Sequence, residues 1–487
     1  MRVRAVLNQI YPYLPVPVQN AGISAFGYIY RRERFGREFA PTLAEFSERD
    51  RWDVERFRGH TTAALRRVLA RAFDVPFYRE EWHAAGLSPV HVADITAETL
   101  FRLPIVRKES LRRAPYAFVP DRGQPVRGLL SYFSSGSTGT PIRAICTAAG
   151  QQRFAAAREA RSYRWAGTSI LRPRAMIGGQ PVVAAAHADP PYYRYNFAER
   201  QVYFSAYHLA PQHIRSYVEG FDRHRPESVT GYAFSQFLLA RFMLEQELRF
   251  RVPPKAAITS SEKLTTRMRG VIEQAWGCRA YEEYGSVENV GLATECEAGR
   301  LHVSPDFGLL EIVDDDGLPV RPGVEGRVVC TGLLNDAQLL IRYEIGDTAA
   351  WSAEPCPCGR EHLPVISGIT GRLEDVVLGR DGRELVRFHG IYIGLPFVLE
   401  GQVVQDALDR FTVRVIAEDG FGNEQVLLIR QRFEARLGKV HVNVERVSEL
   451  ERTARGKLRA VISHVTRTDS RTEGPFGDRM PAAPSRT

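Results

Sequence analysis

The sequence has 487 residues, of which 44% are hydrophobic and 25% are charged. This composition is typical of a folded globular chain with room for more than one domain, so a mainly disordered protein is excluded. The net charge of +8 at pH 7 comes from arginines scattered among acids, without a basic arm, so nucleic acid is not expected as a partner. Six cysteines in so long a chain do not make a disulfide framework, and prolines interrupt the first apolar residues, so a cytoplasmic location is expected.

The first predicted element is an N-terminal arm, YPYLPVPVQNAGISAFGYIYRRERFG, at 11–36. Its apolar and basic residues are compatible with packing on the main domain, which we expect, or with peripheral contact to a membrane surface. No window reaches the roughly 18–20 uninterrupted apolar residues of a membrane span. Further along, TTAALRRVLARAF places Leu65, Val68, Leu69 and Phe73 on one face, which predicts a helix packed on the core.

From about Gly128, strands alternate with helices. The predicted strands are GLLSYF, IRAICT, ESVTGY, KAAITS and RAYEEYG, and the predicted helix is GQQRFAAAREARSYRWAG. A β-rich stretch follows, in which Asp316 and Gly317 mark a hairpin. This alternation predicts an α/β architecture.

A second, smaller domain is predicted to begin near Gly371, because strand and helix patterns resume in FTVRVIAEDG, EQVLLIRQRFEARLG and VHVNVERVSEL. We therefore expect an N-terminal arm and helical region at 1–127, the core of the large domain at 128–370 and a small C-terminal domain at 371–467. The remaining stretch, 468–487, is rich in Pro, Ser, Gly and charge, which predicts a disordered tail.

Seven consecutive Ser, Gly and Thr residues, from Ser134 to Thr140, separate two of the predicted strands. A Walker-type nucleotide loop needs a Lys directly before its Ser or Thr and a helix directly after, and this stretch has neither. Its N–H and O–H groups are able to hold an anion, since glycine lets the backbone approach closely. Taken alone, the composition is also that of a surface connector.

The text YFSSGSTGTP resembles the phosphate loop of the adenylate-forming superfamily, which includes acyl-CoA synthetases, luciferases and peptide-synthetase adenylation domains. Further signatures follow in the order that superfamily requires. AAITSSEKL is similar to its adenine-binding strand and turn, YEEYGSVENVG to its aromatic-Gly-x-x-Glu motif, and LIRYEIGDTAAW to the motif whose Asp holds the ribose. GITGRLEDVV resembles the interdomain hinge, and ERTARGKLRAVIS the C-terminal motif with the catalytic lysine.

Within the superfamily, VPFYREEWHAAGL, LFRLPIVRKESLR and CPCGREHLPVISGITGR resemble the phenylacetate-CoA ligase branch. The arm with LPVPVQNAGISAFG, together with VYFSAYHLAP and GYAFSQFLLA, is more similar still to the CapK-type proteins associated with capsular polysaccharide synthesis. The resemblance implies the adenylate-forming enzyme fold, with a large N-terminal α/β domain that carries a β-rich subdomain, and a small mobile α+β C-terminal domain.

The activity implied is that of an AMP-forming acid ligase, in which a carboxylate attacks the α-phosphate of ATP and pyrophosphate leaves. The resemblance places the phosphates at the Ser/Gly/Thr loop, the adenine at the next two motifs, and the ribose at the last two residues of the following set. The ATP- and AMP-binding residues so implied are Ser134, Ser135, Gly136, Ser137, Thr138, Gly139, Ser260, Ser261, Glu262, Tyr284, Gly285, Ser286, Asp347 and Arg372.

Two catalytic residues are implied as well. Glu288 would hold a Mg²⁺ ion that bridges the phosphates, since hard cations prefer carboxylate oxygen. Lys457 would contact the attacking carboxylate and the α-phosphate as a compact point charge. Glu374 occupies the hinge position. The sequence departs from the family at Val287, where a Thr is usual, so an α-phosphate hydroxyl is missing unless Ser286 supplies it.

The acid-binding pocket is implied to include Tyr232, Phe234 and Ser235, although core packing explains the two aromatic residues equally well. No residue identifies the acid. The partner is therefore expected to be a small-molecule carboxylic acid of undefined class.

A metal site is implied by Cys296, His302, Cys356 and Cys358, because related ligases carry such a set between the adenine motif and the hinge. The spacing is not that of a zinc finger, and buried free thiols are the alternative. A closed site with four protein ligands would hold a structural Zn²⁺ without a catalytic role.

Three functions stay open for the second half-reaction. The first is transfer of the acyl group to CoA as co-substrate. The second is transfer to a non-CoA amine, hydroxyl or carrier thiol in polysaccharide or secondary-metabolite biosynthesis, because the sequence after the hinge departs from the usual CoA-lining strand. The third is a nucleotide-binding partner protein without turnover. A homodimer is compatible with each of them.

Overall fold

The computed structural model describes residues 11, 14–121, 128–133, 142–178, 182–183, 189–206, 208–261, 263–370, 377–379, 384–385, 391, 395–451 and 461–465. The chain divides into two compact units, of which the first holds most residues up to Leu373 and the second begins at Glu374. The four predicted regions and their boundaries stay predictions, and the proposed tail at 468–487 lies outside the described residues.

The helices of the first unit surround a large sheet. They are α1 (Val16–Arg34), α2 (Phe39–Arg49), α3 (Val54–Ala72), α4 (Pro76–Ala84), α5 (Pro89–Ala93), α6 (Lys108–Arg113), α7 (Ala148–Arg158), α8 (Ile214–His224), α9 (Ala233–Glu245) and α10 (Thr266–Trp276).

Helix α3 shows why these segments are helical. Asp53 caps its first turn by accepting a 2.8 Å hydrogen bond from the backbone N–H of Arg56. The predicted apolar face is the buried face, with Leu65, Val68 and Leu69 in the main core cluster. The helix predicted at 150–167 differs in detail, because α7 passes at Glu159–Tyr163 into a π-helical turn, all five residues of which are buried.

The strands of the first unit are β1 (Leu130–Phe133), β2 (Arg143–Cys146), β3 (Arg174–Gly178), β4 (Tyr193–Asn196), β5 (Gln201–Ser205), β6 (Ser228–Tyr232), β7 (Ala256–Ser260), β8 (Arg279–Gly285), β9 (Leu292–Glu295), β10 (Leu301–Val303), β11 (Gly308–Val313), β12 (Gly326–Gly332), β13 (Tyr343–Trp351) and β14 (Val365–Thr370). All five strands predicted from the sequence up to β8 are present. Strands β1 and β2 pair with each other as an antiparallel two-stranded sheet.

Twelve of these strands form one sheet, in the order β11-β12-β13-β14-β10-β9-β8-β7-β6-β3-β5-β4. The run from β8 to β5 is parallel, whereas β4 and the strands from β9 onward pair antiparallel. Strand β7 (AAITS) is buried on both faces over its first four residues, as parallel strands covered by helices are. The predicted α/β architecture is confirmed.

A buried ionic cluster joins α2 to the π-helical turn. Arg161 and Asp306 have fully buried side chains, and their atoms Nη1 and Oδ1 lie 2.6 Å apart. Arg49 Nε lies 2.7 Å from Asp306 Oδ2, and Arg161 Nε lies 2.9 Å from Asp50 Oδ1. Burial by itself would raise the pKa of Asp306, but the charges and hydrogen bonds of Arg161 and Arg49 hold that pKa below its ordinary value.

We expect Asp306→Asn to lower the free energy of unfolding by about 3–5 kcal/mol at pH 7, because it leaves two buried arginines without their carboxylate. Since the folded pKa of Asp306 is depressed, its contribution is present above the unfolded pKa and is lost as the pH falls below about 4. Urea denaturation at several pH values measures both effects. The exposed turn residue Asp316 is the control, and equal costs for Asp306→Asn and Asp316→Asn would contradict the assignment.

The second unit is a small α+β fold. Its described elements are β15 (Val377–Leu378), β16 (Glu384–Leu385), β17 (Val398–Ala407), β18 (Arg410–Ala417), α11 (Asn423–Leu437), β19 (His441–Arg446) and β20 (Val461–Ser463). Its sheet has the order β19-β18-β17-β20. Burial alternates along β18, so that Phe411, Val413 and Val415 face a core that includes Ile429 and Phe433 of α11. Among the described residues of both units, no helix is long and apolar enough to cross a bilayer.

Candidate active site and metal cluster

The predicted nucleotide-binding residues gather at one edge of the sheet. Strands β3, β6, β7 and β8 are parallel neighbours, with Tyr232 opposite Ser260 and Ser260 opposite Glu283. Their carboxyl ends therefore lie at the same edge, where Gly178, Tyr232, Ser260 and Gly285 are the last strand residues. Ligands of open α/β sheets bind at this edge, and the loops that follow these strands carry the predicted site.

The structure brings Tyr284 and Asp347 into contact. The hydroxyl of Tyr284, at the end of β8, donates a 3.0 Å hydrogen bond to Oδ2 of Asp347 in β13. Burial and the neighbouring Asp347 carboxylate raise the pKa of the Tyr284 phenol well above its usual value, so the phenol stays a donor. Gly346, with φ +90°, lets the chain turn just before Asp347. One carboxylate oxygen is thereby fixed, and Oδ1 is not used by this hydrogen bond.

Glu288 lies in the turn between β8 and β9 and is only 3% exposed. Its Oε1 accepts a 2.9 Å hydrogen bond from the hydroxyl of Tyr343. Burial and the Glu288 carboxylate raise the pKa of Tyr343 well above its usual value. Within the described residues, Glu288 forms no ion pair. A buried carboxylate without a counter-charge is costly, so this geometry fits a bound divalent cation.

Ser286 has a hydroxyl that is buried and, among the described residues, without a hydrogen-bond partner. It lies one residue before Val287 and two before Glu288. Since buried hydroxyls are normally satisfied, an unsatisfied one beside the cation-binding position points to a ligand atom. Ser286 is therefore able to supply the hydroxyl that Val287 lacks.

We expect Ser286→Ala to lower the rate of pyrophosphate release by roughly tenfold, the loss of one hydrogen bond of about 1.5 kcal/mol to a charged phosphate. The free energy of unfolding should not fall, because no protein hydrogen bond is broken. Steady-state kinetics and urea denaturation give the two quantities. Ser162→Ala is the control, since its hydroxyl bonds to Glu283 and its loss should cost stability. A destabilised Ser286→Ala with an unchanged rate would make Ser286 a structural residue.

Two backbone positions beside these residues are strained. Ser261 has φ +69° and Asn289 has φ +52°, in the left-handed region that residues other than glycine seldom occupy. Ser261 directly follows β7, and Asn289 directly follows Glu288. Such conformations concentrate at functional sites, in agreement with the predicted adenine turn and cation position.

The predicted acid-binding residues lie where β6 passes into α9. Tyr232 is half-buried at the end of β6, whereas Phe234 and Ser235 are buried at the start of α9. Gly231 is required between them, because a Cβ at that position would meet the carbonyl oxygen of Ile177 at 2.0 Å. The burial of Phe234 and Ser235 also fits the alternative of core packing.

The remaining predicted site residues lie outside the described residues. They are Ser134, Ser135, Gly136, Ser137, Thr138 and Gly139 of the phosphate loop, Glu262, Arg372, Glu374 and Lys457.

Sequence reasoning missed Tyr343. It is fully buried and joins β13 to the turn that carries Glu288. The signal was available, because Tyr343 stands four residues before Asp347 in the same LIRYEIGD text. Its partner could not be named from the sequence, since 55 residues separate Tyr343 from Glu288.

The four predicted metal ligands come together. Their ligand atoms all lie within 4.8 Å of one another, with Cys296 Sγ 3.6 Å from Cys356 Sγ and Cys358 Sγ 3.3 Å from His302 Nε2. These separations match the roughly 3.3–3.8 Å expected between ligands of a tetrahedral zinc ion. Nδ1 of His302 lies 2.8 Å from the carbonyl oxygen of Leu363, to which it is placed to donate, which leaves Nε2 free to ligate.

The hairpin of β9 and β10 carries two of these ligands, and the loop between β13 and β14 carries the other two. Strand β10 pairs with β14, with His302 opposite Val365, so the cluster joins chain segments that are distant in sequence. Cys296 and His302 are buried, and Cys356 and Cys358 are half-buried. Among the described residues, this donor set fits a closed zinc site better than an open catalytic one.

Comparison with known proteins gives concordant results. Residues 383–464 match the family model of the CapK C-terminal domain. The chain is 24% identical over 467 residues to Protein CapK of Staphylococcus aureus, covering 94% of this chain and 100% of that protein. It is 28% identical over 348 residues to phenylacetate-coenzyme A ligase of Thermus thermophilus, covering 67% of this chain and 72% of that protein.

Two solved structures share the fold. The structure of 2-hydroxyisobutyryl-CoA ligase with 2-HIB-AMP and CoA in the thioesterification state has a TM-score of 0.57 at 22% identity, covering 85% of this chain and 90% of that one. The same ligase in the postadenylation state with 2-HIB-AMP has a TM-score of 0.52 at 23% identity, covering 86% and 91%. The chain thus has the adenylate-forming enzyme fold, and its predicted resemblance to the phenylacetate-CoA ligase and CapK proteins of that superfamily is confirmed.

Proposed function

We propose that this protein activates a carboxylic acid with ATP, forms an acyl-adenylate with release of pyrophosphate, and transfers the acyl group to CoA. The observation that carries the proposal is Glu288, a buried carboxylate without a described counter-charge, in the loop after β8 at the ligand-binding edge of the sheet. Similarity to two CoA ligases supports the acceptor.

Each described residue would have one task in the first half-reaction. Glu288 would hold Mg²⁺, which neutralises phosphate charge when bound, and Tyr343 would orient that carboxylate. The Ser286 hydroxyl would donate to the α-phosphate, and Asp347 would accept hydrogen bonds from the ribose hydroxyls. Tyr284 would lie against the adenine while its hydroxyl fixes Asp347.

The chemistry is a displacement at phosphorus. An oxygen of the substrate carboxylate forms a bond to the α-phosphorus, the bond from that phosphorus to the bridging oxygen breaks, and pyrophosphate leaves with the electron pair. Lys457 is proposed to bring its positive charge to the attacking carboxylate and the α-phosphate, where positioning and charge stabilisation supply the rate. The Ser/Gly/Thr loop from Ser134 is proposed to hold the departing phosphates.

A non-CoA acceptor is the second candidate. The match to the CapK C-terminal domain covers residues 383–464, which include much of the stretch where the sequence departs from the usual CoA-lining strand. An amine, hydroxyl or carrier thiol in polysaccharide or secondary-metabolite synthesis would then take the acyl group. A nucleotide-binding protein without turnover is the remaining alternative.

The test is hydroxamate formation with ATP, Mg²⁺ and hydroxylamine, across aryl, fatty, amino and sugar acids. Hydroxylamine intercepts the acyl-adenylate, so this assay does not depend on the natural acceptor. We expect turnover with at least one acid class and its loss in Lys457→Ala. Addition of CoA then separates the two acceptor candidates by formation of a thioester. ATP binding without turnover for every acid would reject adenylation.

We also propose that Cys296, His302, Cys356 and Cys358 hold a structural Zn²⁺. The proposal is supported by the closed donor set and by the hydrogen bond that orients His302. Zinc would then link the β9–β10 hairpin to the β13–β14 loop and take no part in acid activation.

A further inference from the structure

Helix α1 is oriented with its polar side toward the protein. Asn20 Oδ1 accepts a 2.9 Å hydrogen bond from the N–H of Tyr195, and Ser24 Oγ accepts a 3.0 Å hydrogen bond from the N–H of Phe197. Arg31 donates a 2.7 Å hydrogen bond to the carbonyl oxygen of Ala198. The helix thus covers the edge strand β4 through polar contacts, which protects an otherwise unpaired strand edge.

The opposite side of α1 is apolar and exposed. We call it the outer stripe, and its members recur at helical spacing on one face, namely Val18, Ala21, Gly22, Ala25, Tyr28 and Ile29. Val18 is 47% exposed, Tyr28 59% and Ile29 58%. A surface helix normally buries its apolar face and exposes its polar one, so this reversed arrangement indicates an apolar partner.

The charges around the outer stripe are positive. No acidic residue occurs in the sequence from Val16 to Arg32, and Arg31 and Arg32 are exposed in the last turns. Phe197, 66% exposed, and Arg200, also exposed, extend the surface beyond β4. The nearby Glu199 is buried and paired with Arg34, so it does not offset this charge.

We propose that the outer stripe binds the surface of a bilayer that contains anionic phospholipid, with α1 lying in the interface. Apolar side chains flanked by arginines without acids are the features that such helices use, and the positive charge complements anionic headgroups. This inference goes beyond the proposed enzymatic function and does not depend on it. A second copy of the chain is the competing occupant, since small residues at the centre of the stripe would allow two helices to approach.

The test is co-sedimentation of the full chain, without ATP, with phosphatidylcholine vesicles and with vesicles that also contain phosphatidylserine. We expect binding to the anionic vesicles alone, and weaker binding as salt rises. Ile29→Glu should reduce the bound fraction at least tenfold. Val90→Glu, at a position 75% exposed on α5, is the matched control and should bind as the wild type does. Equal thermal melts of the two variants would show that both are folded.

Two results would overturn the proposal. The first is wild-type protein that does not sediment with anionic vesicles, or that sediments equally well after Ile29→Glu. The second is a light-scattering mass of two chains in the absence of lipid that falls to one chain in Ile29→Glu, which would assign the outer stripe to a second copy. Hydroxamate formation is measured separately, so failure of either proposal leaves the other intact.

Discussion

Glu288→Gln is expected to lower the rate of pyrophosphate release by a factor on the order of 10²–10³, while the protein remains folded. Gln keeps the size of Glu and an oxygen that is able to accept the hydrogen bond from Tyr343, but it removes the negative charge that a cation requires. Because the carboxylate is buried without a described counter-charge, its neutralisation should not lower the free energy of unfolding. Initial rates over a range of Mg²⁺ concentrations, with parallel urea denaturation, give both quantities.

Tyr343→Phe separates charge from orientation. It removes the hydroxyl that positions Glu288 but keeps the carboxylate charge, so we expect a smaller loss of about tenfold, together with a raised Mg²⁺ requirement. If Glu288→Gln releases pyrophosphate at the wild-type rate with saturating Mg²⁺, then Glu288 does not hold the cation and the assignment fails. If it is slow only because it unfolds, urea denaturation will show that directly.

The fold was predictable because its signals are local. Alternating runs such as ESVTGY and KAAITS become neighbouring parallel strands β6 and β7, and the ordered motifs indicate which strand ends carry the site. The apolar face of α3 was predictable from spacing alone, since helical periodicity fixes which side chains share a face.

The contacts that complete the site were not predictable in the same way. The hydrogen bond from Tyr343 to Glu288 depends on how β13 lies relative to the turn after β8, and no local pattern encodes that register. The unsatisfied hydroxyl of Ser286 is visible only when its surroundings are known. The arm at 11–36 was expected to pack on the main domain, and α1 does so, but only the structure shows that its polar side faces inward.

Removal of a bound zinc ion is expected to destabilise the first unit without changing the chemistry of acid activation. The ligands belong to the β9–β10 hairpin and the β13–β14 loop, so a metal that binds only the folded chain adds its binding free energy to stability. We expect one zinc per chain by elemental analysis. Chelation or Cys296→Ser should lower the melting temperature by roughly 5–10 °C.

The matched control is Cys146→Ser, because Cys146 is another buried thiol and lies outside the cluster. It removes the same sulfur from a buried position, so it should keep the full zinc content even if it costs some stability. Hydroxamate formation per folded molecule should be equal in Cys296→Ser and the wild type at a temperature where both are folded, because a closed four-ligand site offers no open position to a substrate. Protein that carries no zinc after purification in zinc-containing buffer would refute the metal assignment, and the four side chains would then be free thiols packed beside a histidine. A zinc-dependent rate in fully folded protein would instead mean that the cluster contributes to the reaction.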